Sequence, residues 1–480
     1  MKSLSRYIKQ VARPILLSLS IFIVPACAVN QQKPQSPNII IIFTDDQGYE
    51  DVGVYGSPLI ATPHLDQLAS DGIRFTDFYV ATSVCSPSRA SLLTGQLPKL
   101  NGVDGVLWPG GAGMNPEVLT IAELLKTKGY ATALFGKWHL GDTQDTRPTA
   151  HGFDEYYGIP YSNDMFPHFT HKVAKNIQFN FAYNYEKFEW DKQHVKKFFK
   201  DKRKLKKDLN YASPIFEGNE VVEYPADQSL LTQKYFSRAR DYISKHKNKP
   251  FLVFITPSMP HIPLFASERF KGKSKRGLYG DTIEEIDYEI GVLRRHLKNL
   301  KLDKNTLIIF SSDNGPWLSF KEHGGSAGPL RGGKFTNFEG GVRVPSIMAW
   351  PGNIPTGTVS NQISSTMDLF PTIAEITGAE LSAKHKLNGQ SLLRHLRNPS
   401  STINRDVHFY SLRGKVAGVR KGDWKYIRAE MVSRQKKMNL NTALLFNLKD
   451  DVSETHNLID KFPQKVVELE QLVQDFEKTL

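Results

Sequence analysis

Four stretches of the chain are apolar and rich in β-branched residues, almost without polar interruption: Asn38 to Thr44, Tyr130 to Phe135, Phe251 to Ile255 and Leu307 to Ser312. Unbroken runs of this length, as opposed to alternating ones, are the pattern of strands buried on both faces of a parallel sheet. Each stops at polar residues: Asp45-Asp46, then Lys137 and His139 in a Gly-Lys-Trp-His-Leu-Gly segment, then His261 in a His-Ile-Pro segment, then Asp313-Asn314-Gly315. Open α/β sheets place their ligands at the C-terminal ends of strands, so four strand ends deliver polar groups to one edge.

Between the first two runs, Ala90, Leu92 and Leu93 form a helical apolar pattern that Gly95 ends, with Pro87 in its first turn, where proline costs no hydrogen bond. The spacing predicts a helix whose start Cys85 caps, with Arg89 one turn on along the same face. Met367 to Gly378 predicts a further helix. Beyond it, Val407 to Tyr410, Val416 to Arg420, Trp424 to Arg428 and Leu444 to Leu448 are short runs between glycines and charged turns, the signature of an antiparallel sheet. Val466, Leu469, Leu472, Val473 and Phe476 place an amphipathic helix over Phe462 to Leu480. The predicted fold is α/β, with a large domain over residues 38–378, a mostly parallel mixed sheet between helices. A smaller C-terminal domain over 379–480 carries the antiparallel sheet and the terminal helix.

The chain's 480 residues, 40% of them hydrophobic, supply core enough for both. Its formal charge is +13, and removing residues 1–27, which hold Lys2, Arg6, Lys9 and Arg13 and no acid, leaves +9. A mild basic excess suits an anionic substrate, but does not by itself separate polysaccharide from nucleic acid or from plain solubility. Much of it lies in residues 171–210, where 12 Lys and Arg face 5 Asp and Glu among Phe179, Tyr185, Phe188, Trp190 and Phe198. This basic, aromatic insertion reads either as a substrate-flanking segment or as a solvated helix with its apolar side packed down.

The paired acids change the picture most. An isolated Asp-Asp is ordinarily a turn, but Asp45 and Asp46 are answered by Asp313 and Asn314 at the end of another buried strand. If the two strands are neighbours, these four residues converge on one ion. All offer oxygen, which favours Ca²⁺ or Mg²⁺ over Zn²⁺, and several carboxylates with an amide carbonyl suit Ca²⁺ better. Opposite them, Cys85 and Arg89 sit at a helix N-terminus, where unpaired amides and a guanidinium welcome an oxyanion. In an extended Gly-Lys-Trp-His-Leu-Gly segment Lys137 and His139 fall on one side and can face the same anion. Lys334, in a glycine-rich Leu-Arg-Gly-Gly-Lys loop, adds a further point charge.

Cys85-Ser-Pro-Ser-Arg89 followed by Leu93-Thr94-Gly95 resembles the signature of type I sulfatases, in which the cysteine is oxidised to formylglycine. The Asn-Ile-Ile-Ile-Ile-Phe-Thr-Asp-Asp start, the Ser-Asp-Asn-Gly segment, Gly-Lys-Trp-His and Leu-Arg-Gly-Gly-Lys extend the resemblance over nearly the whole chain, toward the arylsulfatase A and N-acetylgalactosamine sulfatase group. The resemblance implies an alkaline-phosphatase-like fold and hydrolysis of sulfuric esters. It implies residue 85 as nucleophile and further metal ligand, with Arg89, Lys137, His139, His261 and Lys334 as catalytic residues. Lys137, His261, Lys334 and Ser162 would contact the sulfate or the leaving oxygen. Asn163 stands where the family often has histidine. Arg331, Glu339 and Arg343 match the motif but read as structural partners of the loop. The implied partners are a sulfated carbohydrate and the enzyme that installs formylglycine, and no nucleic acid. Three alternatives stay open: a phosphonate monoester or phosphodiester hydrolase of the same superfamily, a noncatalytic sulfoglycan-binding protein should Cys85 stay unmodified, and, weakest, a nucleic-acid binder.

Residues 1–13 are basic, Ile15 to Val24 are mostly apolar, and Val24-Pro25-Ala26-Cys27 follows. This is an export signal over 1–27, with residues 28–37 as a linker. Val-Pro-Ala-Cys resembles a bacterial lipobox, which would leave Cys27 acylated as a membrane tether. Ala26-Cys27-Ala28 equally suits ordinary signal peptidase. The expected location is the periplasm or the outer membrane, or secretion. With Cys27 in a processing site and Cys85 in the active site, no structural disulfide forms.

Overall fold

The computed structural model describes residues 36–168, 172–201, 212–403, 405–438 and 440–480. The export signal, Cys27, His171 and residues 202–210 of the insertion lie outside the described residues.

Among the described residues the main sheet has eleven strands, and its centre is parallel. Thr306–Ser312, Asn38–Thr44, Phe251–Thr256 and Ala131–Gly136 lie side by side in that order. These are the four apolar runs, so their C-terminal ends do share one edge. Antiparallel strands extend the sheet on both sides, with Ser346–Ala349 beside Thr306–Ser312 and Ile215–Glu217 beside Glu155–Gly158. Side chains alternate between faces along a strand. Ile39, Ile41 and Phe43 therefore enter one core with Leu92, Leu93, Leu369 and Phe370, and Ile40 and Ile42 enter a second with Leu68, Phe236 and Ile290. Helices cover both faces, as the unbroken apolar runs require. Full burial of each such side chain stabilises the fold by about 1.5–3 kcal/mol.

The helix over Cys85–Thr94 ends on Gly95, whose φ of 67° is the left-handed conformation that glycine adopts without strain. Cys85 is its first helical residue; extended Val84 occupies the cap position, and no side chain caps the helix. A thiol is a weak acceptor, so it does not replace the usual serine or aspartate there. The helix Leu369–Thr377 falls within the predicted segment. The insertion contributes two elements. Lys172–Phe179 forms the edge strand of the main sheet, and Tyr185–Asp201 forms a helix with Phe188 and Val195 turned into the core.

The C-terminal strands Val407–Leu412, Lys415–Lys421, Trp424–Ile427 and Leu444–Asn447 form an antiparallel meander, against which helix Pro463–Glu477 packs Leu469 and Val473. Residues 36–480 form one compact unit. The small sheet joins the large one through buried ion pairs. Lys425 Nζ lies 2.8 Å from carboxylate oxygens of both Glu339 and Glu454, and Arg420 Nη1 lies 2.5 Å from Asp77 Oδ1.

Candidate active site

Adjacent parallel strands in register place Thr44 opposite Ser312, so Asp45-Asp46 and Asp313-Asn314 leave the sheet side by side. The Asp46 amide donates to Asp313 Oδ1 at 3.1 Å and Asn314 Nδ2 donates to Asp46 Oδ1 at 2.7 Å. The four residues expected to converge on an ion do converge, and all are buried. The Cys85 helix points its first turn at them. The Cys85 sulfur and carboxylate oxygens of Asp45 and Asp313 all lie within 4.8 Å of one another, as do ligand atoms of Asp45, Asp46 and His261.

Cations close the site. Arg89 Nε donates to Asp313 Oδ2 at 2.9 Å, Lys137 Nζ to Asp45 Oδ2 at 2.5 Å, and Lys334 Nζ lies 2.7 Å from Asp46 Oδ1. Three carboxylates thus face three cations, all almost wholly removed from water. Taking one ion out of water costs several kcal/mol, so such a cluster persists only through its pairings. Burial pushes the Asp45 carboxyl up, but Lys137, His261, Arg89 and Lys334 outweigh it and hold the group far below the usual carboxylate range. Burial and the neighbouring Asp45 push Asp313 up to about 7, against Arg89. Burial also pushes the Cys85 thiol up to about 11, which Lys137 and Lys334 only partly offset.

Two histidines complete the wall. His139 does not lie in an extended segment: its φ is 64°, and that of Asp46 is 61°. The correction to the expected extended geometry is physical, because non-glycine residues in the left-handed region are strained, and such strain collects at functional sites. The turned backbone sets His139 Nε2 3.2 Å from the Leu107 carbonyl, which can only accept. Nε2 therefore carries the proton, and Nδ1, buried with no hydrogen-bond partner, keeps its lone pair. Burial and Lys137 push this imidazole well below its ordinary range, so it is neutral. His261 Nδ1 lies 2.5 Å from the Ile262 carbonyl, and its Nε2 lies 3.6 Å from Asp46 Oδ2. Burial and Lys334 push His261 down, while Asp46 and Asp45 oppose them. Ser162 Oγ bridges the wall, 3.2 Å from Lys137 Nζ and 3.3 Å from both His261 ring nitrogens.

Asp45, Asp46, Cys85, Arg89, Lys137, His139, Ser162, His261, Asp313, Asn314 and Lys334 thus lie together, and Cys27 is outside the described residues. Asn163, beside Ser162, is buried and donates to Gln228 Oε1 and the Pro263 carbonyl. Glu339 and Arg343 lie instead in the cluster beneath the small sheet, and the Arg331 guanidinium donates to the Glu454 carbonyl. One neighbour carried no motif signal. Trp317, three residues past Asn314, sets its ring 5.6 Å from that of His261. An aromatic in a polar loop was the only available hint.

The residues present fit a hard divalent cation. Asp45 Oδ1 and Asn314 Oδ1 are buried oxygens with no hydrogen-bond partner, and oxygen is what such ions take.

The sulfatase family profile matches residues 37–379, and the profile for the C-terminal region of N-sulphoglucosamine sulphohydrolase matches residues 333–479. The chain belongs to the sulfatase family. Bovine (Bos taurus) arylsulfatase A is 36% identical over 477 residues, covering 94% of this chain and 89% of that protein. N-acetylgalactosamine-6-sulfatase of Rattus norvegicus is 36% identical over 414 residues, covering 84% and 72%. Among solved structures, Ps i-CgsB in complex with k-i-k-neocarrahexaose superposes with a TM-score of 0.74 at 31% identity, covering 92% of this chain and 93% of that one. The protein is thus a formylglycine-type sulfatase by family, related to the arylsulfatase A group, and an enzyme.

Proposed function

We propose that this sulfatase releases inorganic sulfate from a sulfated carbohydrate, a polysaccharide or oligosaccharides made from one. Residue 85 works as formylglycine, and Asp45, Asp46, Asp313, Asn314 and residue 85 hold one calcium ion. The observation that carries the proposal is the Cys85 sulfur within 4.8 Å of two carboxylates, in a buried site otherwise walled by Arg89, Lys137 and Lys334. The carbohydrate part draws support from relatives that are named for an N-acetylgalactosamine sulfate or solved with a neocarrahexaose.

A buried thiol pushed up to about 11 is a poor nucleophile at neutral pH, and a sulfur-linked intermediate has no easy exit. As formylglycine, residue 85 would supply on hydration two hydroxyls on one carbon, one as the nucleophile toward sulfur and the other as the group whose deprotonation would release sulfate and restore the aldehyde. Calcium, when bound, supplies positive charge beside the sulfate oxygens. Arg89, Lys137 and Lys334 stand preorganised around the same volume and offset charge that shifts onto the leaving and non-bridging oxygens. Lys334 holds its proton firmly: burial works against it, but Asp46, residue 85 and Asp45 together outweigh burial. His261 is neutral at rest; the ester's negative charge beside it favours the protonated form, which donates from Nε2 to the leaving alcohol. His139, with its bare Nδ1, takes the proton from the second hydroxyl. Ser162 steadies both Lys137 and His261 by hydrogen bonding.

Residues 1–27 direct export, and acylation of Cys27 tethers the enzyme to the outer membrane facing the periplasm or the medium. The basic n-region, the apolar Ile15 to Val24 and the Val-Pro-Ala-Cys sequence motivate this reading. Cys27→Ser should abolish incorporation of labelled fatty acid, and unchanged membrane retention would refute the anchor.

The central test pairs peptide mass spectrometry across Cys85 with free-sulfate release from a panel of sulfated glycans and matched phosphate esters. The expected result is an aldehyde at residue 85 and sulfate release that outpaces phosphate release. Full turnover with an intact thiol, or faster phosphate release, would overturn the proposal.

A further inference from the structure

Beside the charged site lies an aromatic surface that the reaction chemistry leaves unused. Trp317, Phe320 and Phe335 pack edge to face, with ring centroids 4.6 Å apart for Trp317–Phe320 and 5.3 Å for Trp317–Phe335. The surface starts three residues past Asn314 and continues into the residue after Lys334, so both loops that carry it also carry the site. Leu318 is 46% exposed and Phe320 40% exposed. Large apolar groups exposed together mark a binding surface.

The cluster is also held at a cost. Phe335 has a φ of 73°, a genuine strain for a bulky residue. Its amide donates to the Ser83 carbonyl, and its own carbonyl accepts from the Arg434 amide and Ser433 Oγ. The backbone is thereby clamped with the ring against Trp317. Lys334 Nζ lies 4.5 Å from the Trp317 centroid while paired to Asp46, and the Trp317 ring faces His261. The indole therefore stands where the charged site gives way to the alcohol side of the ester.

We propose that Trp317, backed by Phe320 and Phe335, is a sugar-binding ledge that stacks on the pyranose ring carrying the sulfate. This rests on the sulfatase reading above. A pyranose presents a face of polarised C–H groups to the electron-rich face of an indole, while its hydroxyls point outward to solvent or polar side chains.

The test uses the full-length matured enzyme and whichever of three substrate classes it hydrolyses best: sulfated galactose, sulfated N-acetylgalactosamine or sulfated galactan oligosaccharides. Inorganic sulfate, a ringless competitor, reads the anion site alone. Trp317→Ala should raise KM for the saccharide about tenfold, with kcat within roughly threefold and the sulfate inhibition constant within roughly twofold. Trp317→Phe, which keeps a ring, should recover most of the loss, and Phe320→Ala should show a smaller rise in KM. An unchanged KM in Trp317→Ala would overturn the ledge. So would an inhibition constant rising in step with KM, because the indole would then serve only to steady Lys334. If the wild-type enzyme releases sulfate from no ester, the function proposed above fails and the ledge fails with it, a result distinct from either of these.

Discussion

The molecule buries two ion clusters of the same make-up. In one, Asp45, Asp46 and Asp313 meet Arg89, Lys137 and Lys334; in the other, Asp77, Glu339 and Glu454 meet Arg343, Arg420 and Lys425. Each contains one carboxylate held far down, Asp45 or Glu339, and one pushed up to about 7, Asp313 or Glu454. The difference lies in what fills the remaining lone pairs. Glu339 accepts from Tyr79, Tyr410 and Lys425 and pairs with Arg343, all from the protein itself. The other cluster keeps Asp45 Oδ1, Asn314 Oδ1 and His139 Nδ1 without hydrogen-bond partners, whereas Glu454 Oε1, also without one, has the Lys425 ammonium 2.8 Å away. Charge alone does not make an active site. Unfilled acceptors on a rigid edge do.

Substitutions that break one cluster and spare the other sharpen this contrast. The largest effect is expected from Cys85→Ala or Asp313→Asn, which should lower sulfate release about 10³-fold or more, since each removes a group that the proposed function places at the reacting centre. Circular dichroism should report an intact fold, and either variant with wild-type turnover would break the distinction. Chelation of divalent cations should depress turnover in the same assay, with recovery on adding Ca²⁺.

In the other cluster, Lys425→Met leaves Glu339 and Glu454 buried against each other. Denaturant unfolding should show a loss of about 3–5 kcal/mol, the usual result of orphaning a buried ion. The KM of the folded fraction should hardly move. A stable variant with a raised KM would mean that this cluster serves the site after all.

A smaller, pH-dependent effect separates the two glutamates. Burial and Glu339 push Glu454 up to about 7 against Lys425, whereas an unfolded glutamate titrates near ~4.3. The folded state thus binds this proton more tightly than the unfolded state. The stabilisation is complete below the unfolded value and is lost as pH rises to about 7. Glu339 is shifted the other way and titrates below this window. Glu454→Gln should therefore flatten the fall in stability between about pH 4 and 7, measured as the difference from wild type. An unaltered slope would show that Glu454 is ionised throughout. The smallest effect is Ser162→Ala, which removes the hydroxyl hydrogen-bonded to both Lys137 and His261 and should lower kcat/KM roughly fivefold.

How far the chain could be read in advance differed from element to element. The four central strands were legible because burial on both faces leaves no alternation, and their shared edge followed from the parallel arrangement. The inner strand Ile215–Glu217 and the edge strand Thr358–Ser360 are three residues long and carry no period to detect. The edge strand Lys172–Phe179 was hidden by its lysines, since exposure removes the apolar signal. Asp45, Asp313 and Cys85 were legible by type and position. The turn at His139 was not, because its left-handed backbone is imposed by surroundings: its amide donates to the Pro160 carbonyl and its ring reaches Leu107. Trp317 was missed for a similar reason, as its importance comes from what folds against it.

The depth of Cys85 fixes an order of events. A side chain 2% exposed, at the start of a helix wedged between the sheet and Leu369–Thr377, offers no approach to another enzyme's catalytic groups. On the function proposed above, oxidation of Cys85 would have to come while this segment is still an open chain, so that chemistry and folding would compete in time. A molecule that closed too soon would keep its sulfur, correctly shaped but chemically idle.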